Sequence, residues 1–213
     1  MIFNNKIREK LLKLKNEAEK MEEFAEFKIF HPDELEGEQV GYSIDKDGNS
    51  LVSNEEGAWK SEWIVVGYEI LCGDPIIIET NQIGYPVSSL MHGMGDWDSG
   101  IYLSDSLDKF TDGIIKINQF ISEKSMANVV PRITCKDLDN LIKEIIKEDE
   151  YGDFDNWKSM LDPIYESTKE YEDNLTKRVK KLSEGGLIIK EISDRLNMSI
   201  KDTYKYLRRD VEV

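Results

Sequence analysis

Residues 62–79 read EWIVVGYEILCGDPIIIE, and this stretch decides the fold. Trp63 to Ile70 is a largely apolar, β-branched run; Gly73, Asp74 and Pro75 break it, and Ile76 to Ile78 make a second apolar run. β-Branched side chains suit a pleated surface, and a run that is apolar without alternation marks a strand buried on both faces. Two strands are therefore predicted, with PIIIET covered on both sides.

Toward the N-terminus, QVGYSID (39–45) alternates Val40, Tyr42 and Ile44, KDGN (46–49) is turn-forming, and SLVS (50–53) follows, which predicts a β-hairpin. Further back, Ile7, Leu11, Leu14, Ala18, Met21 and Ala25 step by four and three, the apolar stripe of an amphipathic helix. That stripe is expected to pack on its own domain, with a short coiled coil to a second copy as its other use. Toward the C-terminus, glycines and Pro86 break the chain before a short IYL strand. A helix is then predicted with Ser104 as N-cap and Leu107, Phe110, Ile114, Ile117 and Ile121 on one face. A β-rich middle bracketed by helices predicts an α+β fold, because the strand and helix alternation of a doubly wound sheet is missing. SMANVVPRIT (125–134) reads as a connector and DLDNLIKEIIKE (137–148) as another helix. The acidic EDEYGDFDNW (148–157), broken by Gly152, reads as a boundary, giving an α+β domain over 1–150 and a helical unit over 151–213.

The chain has 213 residues, 39% of them hydrophobic and 33% charged, and a formal net charge of −15. No apolar run approaches the roughly 20 residues that span a bilayer, and the opening residues turn charged at once, so a cytoplasmic protein with no membrane partner is expected. The charge is uneven: residues 175–213 hold ten basic and six acidic side chains, leaving 18 basic against 37 acidic in residues 1–174. Two units with different partners are implied. Cys72 and Cys135 form no metal or redox motif and read as small core residues, and with only His31 and His92 present, histidine chemistry has little material.

Three constellations carry potential chemistry. Asp45, Asp47, Asn49, Leu51, Ser53 and Glu56 fall on a calcium-loop spacing, but Ser50 occupies the position that needs glycine, so a plain turn is expected. Asp96 and Asp98 flank Trp97 in GMGDWDSG, a spacing open to metal or acid/base use but commoner in solvated loops. His92 has no nucleophile motif beside it, and Gly93 and Gly95 lack the lysine and helix start of a phosphate loop. An enzyme built on Asp96, Asp98 and His92 therefore lacks an assembled base, nucleophile and orienting group, and no enzyme and no cofactor are expected.

From Glu62 to Phe110 the chain resembles the Smi/Knr, or SUKH, superfamily. The resemblance rests on Trp63 leading a strand to Gly67, then GDP with an apolar strand, a Pro-Val pair, HGxGxW ending at Trp97, and a Ser-x-x-x-Phe helix start. It covers about residues 40 to 120. It implies an α+β fold with a mixed sheet and packed helices, and a bacterial immunity protein that binds and neutralises a toxin by occluding it, without catalysis. The toxin is expected to be basic, because an acidic surface attracts such a partner and speeds encounter. Tyr85, His92, Asp96, Trp97 and Asp98 are the candidate contact residues, Trp97 serving either as a contact anchor or as a cap on the sheet.

Residues 175–210 resemble a helix-turn-helix of bacterial regulators: Ile188, Ile192 and Leu196 line one helix, Asn197, Met198 and Ser199 form the turn, and Ile200, Thr203 and Leu207 line the next. Ser199 is placed to cap the second helix, while Ser193 and Asn197 stand where alanine and glycine are commonest in that motif. Lys201, Tyr204, Lys205 and Arg208 would face outward, which makes DNA the alternative partner and a regulator the alternative function. A three-helix bundle used only for packing is the other reading of the same pattern.

Overall fold

The computed structural model describes residues 5–21, 24–91, 96–97, 100–126 and 130–210. Its order is helix α1 (Asn5–Ala18), strand β1 (Phe27–Ile29), strands β2 (Trp63–Glu69), β3 (Pro75–Glu79), β4 (Val87–Leu90) and β5 (Gly100–Ser104), then helices α2 (Leu107–Met126), α3 (Cys135–Ile146), α4 (Phe154–Met160), α5 (Asp162–Glu184), α6 (Ile189–Leu196) and α7 (Ile200–Arg208). The fold is α+β. No helix among the described residues is long and apolar enough to cross a membrane.

The two strands expected from residues 62–79 are β2 and β3, and every residue of β3 is buried. The sheet is not mixed: its strands run β1 to β5 in chain order, each pair antiparallel. Short connections join β2 to β3 and β3 to β4, as antiparallel neighbours allow, while a long segment between Ile29 and Trp63 returns the chain from β1 to β2. The pattern reading missed β1 and β4 because FKI is only three residues long and VSSL carries two serines; both are strands because neighbours on the sheet bury them.

One face of the sheet, through Ile64, Val66, Ile76, Ile78, Val87 and Leu103, joins the main core with α1, α2, α3, α4 and the start of α5. The expected stripe of α1 is used here: Ile7, Leu11, Leu14, Ala18, Met21 and Ala25 are all buried within the chain, which leaves no seam for a coiled coil. Trp157 of α4 is 1% exposed, donates its indole N–H to the Leu103 carbonyl at 3.2 Å and packs on Phe110 at 5.5 Å. Gly113 makes room for it, since a Cβ there would lie 2.7 Å from the indole. A glycine inside α2 costs about 1 kcal/mol of helix propensity, and burial of the indole offsets it. This core reaches Tyr165, so residues 154–165 pack on the sheet side of the division expected near 150.

The other sheet face, through Val65, Ile77 and Leu90, is covered by Trp59 with Phe30, Tyr42, Trp63 and Trp97. Here the expected hairpin over 39–53 is replaced by a compact irregular segment. Gly37–Gln39 is a 3₁₀ turn, and Ile44 meets Ser50 in an isolated bridge around the turn Asp45–Asn49, with no strand formed. The Asp45 carboxylate accepts from the Asp47 and Asn49 amides, both at 2.8 Å, and from the Asn49 side chain at 2.9 Å. It therefore closes its own turn. Gln39 explains why this segment abandons strand pairing: its side-chain amide donates to the Leu35 and Val65 carbonyls, each at 2.9 Å, and accepts from the Val65 N–H at 3.1 Å. Past the end of β1, one buried side chain satisfies the edge of β2 that a further strand would have occupied.

Three smaller expectations are corrected. Helix α2 is capped by Ser106, whose Oγ accepts from the Lys109 N–H at 3.4 Å, while the Ser104 hydroxyl has the Asp149 carboxylate and the Ser106 carbonyl within reach of its single proton. Of the two cysteines expected in the core, Cys72 is exposed and Cys135 is half-buried, packed against the main core at its margin. In the C-terminal unit, Ile188 and Ile200 are 63% and 58% exposed, and the small core is completed by Tyr206, which the pattern did not include.

Candidate functional site

Sequence-predicted contact residues converge only in part. His92 and Asp98 lie outside the described residues. Asp96 is exposed, and Trp97 beside it is half-buried, its N–H donating to the Gly57 carbonyl at 2.8 Å. Gly57 has φ +78° and a Cβ there would fall 2.4 Å from the Asp96 Cβ, so only glycine lets the two loops meet. The Trp97 ring stands edge-on to Trp59 at 5.2 Å and to Tyr42 at 5.9 Å, and Trp63 stands edge-on to Trp59 at 5.7 Å. Edge-to-face rings at this spacing align the positive edge of one with the negative face of the next. Trp97 thus caps the second sheet face while keeping part of its surface in water. Tyr85 is elsewhere: it packs against the main core on the opposite side of the sheet, with φ 59°.

The four residues of the helix-turn-helix reading do come together. Lys201, Tyr204, Lys205 and Arg208 are all exposed on α7, with the Arg208 guanidinium stacked 4.3 Å from the centroid of the Tyr204 ring. The turn is built as the spacing asks, and its two departures are accommodated. Asn197 takes the left-handed conformation at φ 54° that ends α6, a position asparagine tolerates better than most residues. The buried Ser193 hydroxyl donates to the Met198 carbonyl at 2.6 Å, and the Ser199 Oγ caps α7 by accepting from the Asp202 N–H at 3.0 Å. Behind this face, Leu175, Val179, Ile192, Leu196, Met198 and Tyr206 make a second, smaller core.

Between the two cores sits a residue that the sequence reading missed. Glu172 of α5 has a side chain only 5% exposed. It accepts from the Tyr206 hydroxyl at 2.6 Å and the Cys135 N–H at 3.2 Å, and pairs with Arg209 at 3.0 Å, which also reaches Asp173 at 3.1 Å. Burial alone raises the pKa of Glu172, but the Tyr206, Cys135 and Arg209 contacts outweigh it and hold the carboxyl below its ordinary value. Burial and the same carboxylate push the Tyr206 hydroxyl up, and the Cys135 thiol to about 11. The signal was available: Thr168, Glu172, Leu175 and Val179 step by four, three and four, which puts a glutamate on a buried stripe where it requires partners.

For a metal, the described residues offer one converging group, Glu69, Cys72 and Asp74, whose donor atoms lie within 4.8 Å of one another. Cys72 donates to Glu69 at 3.4 Å, and burial followed by the neighbouring carboxylates pushes its thiol to about 11, so the protonated form of this ligand dominates near neutrality. Comparison of the chain with family models, with curated proteins and with solved structures finds no match.

Proposed function

We propose that this chain is a non-enzymatic protein-binding module of the toxin-neutralising kind, which holds a basic toxin against its acidic sheet domain and occludes it. The observation that carries this reading is the meeting of the motif residues in space. Trp63 and Trp97, distant in sequence, both pack edge-on to Trp59 over one sheet face. Gly67 lies at the β2 irregularity, where a Cβ would be 2.2 Å from the Lys28 carbonyl. The resemblance to the SUKH superfamily thus rests on residues that cooperate in one structure, and the excess of 37 acidic over 18 basic side chains in residues 1–174 supplies the attraction for a basic partner. No cofactor or membrane enters this reading, and the compartment is the bacterial cytoplasm.

The test is protection. Cells producing a basic secreted toxin from the same bacterium should survive when the full chain is co-expressed, and the two proteins should copurify. Toxicity undiminished by well-expressed, folded chain would overturn the reading.

A second reading, a DNA-binding regulator with the sheet domain as sensor, is favoured by the shared exposure of Lys201, Tyr204, Lys205 and Arg208 on α7. Lys201→Glu combined with Arg208→Glu separates the two and spares Lys205, which lies 3.9 Å from the buried Glu172 carboxylate. Under regulation, operator binding falls by orders of magnitude, since each good base contact is worth about 1–3 kcal/mol and phosphate contacts add to it. Under toxin neutralisation, protection is unchanged.

A further inference from the structure

On the covered face of the sheet, beside the tryptophan cluster, lies an open cleft of about 480 Å³, lined by rings from Phe30, Tyr42 and Tyr68. Phe30 and Tyr68 are 5.6 Å apart and tilted by 39°, so that together they make a wall of aromatic surface. Glu34 and Glu38, on the turn that follows β1, line the same cleft. The negative potential there reaches the rings: burial, then Glu38 and Asp74, push the Tyr42 hydroxyl above its ordinary pKa. Of the two lysines on the lining, Lys15 is committed to Glu19 at 3.0 Å, and Lys28 stands across the β1–β2 pair from Tyr68, exposed.

Aromatic faces flanked by carboxylates suit a cation that is flat, weakly hydrated and rich in donors. A guanidinium meets all three conditions: it lies on a ring face and donates in a fork to a carboxylate, whereas an ammonium is a compact, strongly hydrated point charge. We infer that this cleft receives an arginine side chain of the partner protein, stacked between Tyr68 and Tyr42 and paired with Glu38 and Glu34. For the identity of the partner, this inference rests on the toxin-neutralising reading. It adds the contact: the chain recognises its toxin through an arginine seated beside the Trp59 cluster, and Lys28 at the rim competes for the same carboxylates.

The experiment is a titration of the full, isotopically labelled chain with N-acetyl-arginine amide, followed by NMR, with the neutral isostere N-acetyl-citrulline amide as control. Saturable shifts are expected at Phe30, Tyr42 and Tyr68 with the arginine probe and not with citrulline. Glu34→Gln with Glu38→Gln should weaken binding about three- to tenfold, and Lys28→Ala should tighten it about two- to fivefold, the range for partly exposed charge pairs. The gain from Lys28→Ala guards against misreading a folding defect as lost binding. Equal shifts with citrulline, arginine shifts that map to other elements, or variants that leave affinity unmoved would overturn the inference. The toxin itself separates the two levels. If it is neutralised equally by wild type and the glutamine double variant, the cleft assignment falls and the neutralising reading stands. If no toxin is bound but the arginine probe behaves as expected, the partner falls and the arginine site stands.

Discussion

The sheet domain and the C-terminal helical unit solve the same stability problem by different means. The sheet domain buries a continuous core from Ile7 to Tyr165 and satisfies most of its polar backbone through strands, helices and the single Gln39 amide. The helical unit has a much smaller core around Leu175, Val179, Ile192 and Tyr206, and a buried carboxylate, Glu172, ties its last helix to α5 and to the start of α3. A large apolar core tolerates loss of a neighbour; a small one held by a charge does not. The helical unit is therefore the region whose stability should respond to pH and to single polar substitutions.

The sharpest way to break this contrast is truncation. A chain ending at 150 discards Trp157, Met160, Leu161, Ile164 and Tyr165 from the main core and is expected not to unfold cooperatively in urea. A chain ending at Gly186, which retains α5 and loses only α6 and α7, is expected to keep the near-ultraviolet circular dichroism of the sheet domain. If the shorter chain were as stable as the longer, the main core would not extend into α4 and α5. Within the intact chain, Trp157→Ala should cost about 3–5 kcal/mol in the same measurement, as for other large buried aromatics.

Next in size is Glu172→Ala, expected to remove about 2–3 kcal/mol from the helical unit, less than a fully buried pair because Arg209 keeps 26% of its side chain in water. Hydrogen exchange resolved by segment should show lost protection in α6 and α7 with α2 and β3 unchanged; equal loss everywhere would erase the distinction between the regions. The same carboxylate predicts a pH dependence. Its folded pKa lies below the ordinary glutamate value of 4.5, so the native state favours the ionised form. The stabilisation is fully present above about pH 4.5 and is lost as pH falls through the folded pKa. Protection of α6 and α7 should therefore fall with acid below that point more steeply than in Glu172→Gln.

Smaller effects sharpen the picture. Gly73 has φ +76° at the tip between β2 and β3, so Gly73→Val should lower stability by about 1–2 kcal/mol, read as a lower melting temperature. A Gly73→Val protein with unchanged melting but lost partner binding would move this glycine from the sheet to the contact surface. The smallest change belongs to Asn197 at φ 54°: Asn197→Gly should alter stability by less than about 1 kcal/mol, and Asn197→Ala should cost more. The reverse order would mean that the asparagine side chain, and not the backbone conformation, holds the turn.

Much of this was legible in the chain itself. A run of β-branched residues and an unalternated PIIIE can be buried only as strands, and heptad-like steps in α1 and α2 leave one face to bury, so β2, β3 and the main helices followed from side-chain chemistry at short range. The two short helices α6 and α7 and the turn between them were also legible at short range, because caps and turns such as Ser199 and Asn197 act within a few residues.

What the tertiary structure alone decided lies wherever the partner is far away in sequence. The alternation of Val40, Tyr42 and Ile44 suits a strand, yet Gln39 takes the β2 edge and leaves that segment as turns over Trp59, a choice made by a hydrogen-bonding group 26 residues from Val65. FKI and VSSL became strands because a sheet was already there to pair with them. Ile200, expected on the apolar line of α7, is exposed, and Tyr206, to which the spacing gave no role, is buried with its hydroxyl donating to Glu172. Local spacing settles which faces are apolar; only packing settles which polar groups meet, because a buried hydroxyl or carboxylate goes where its partner is.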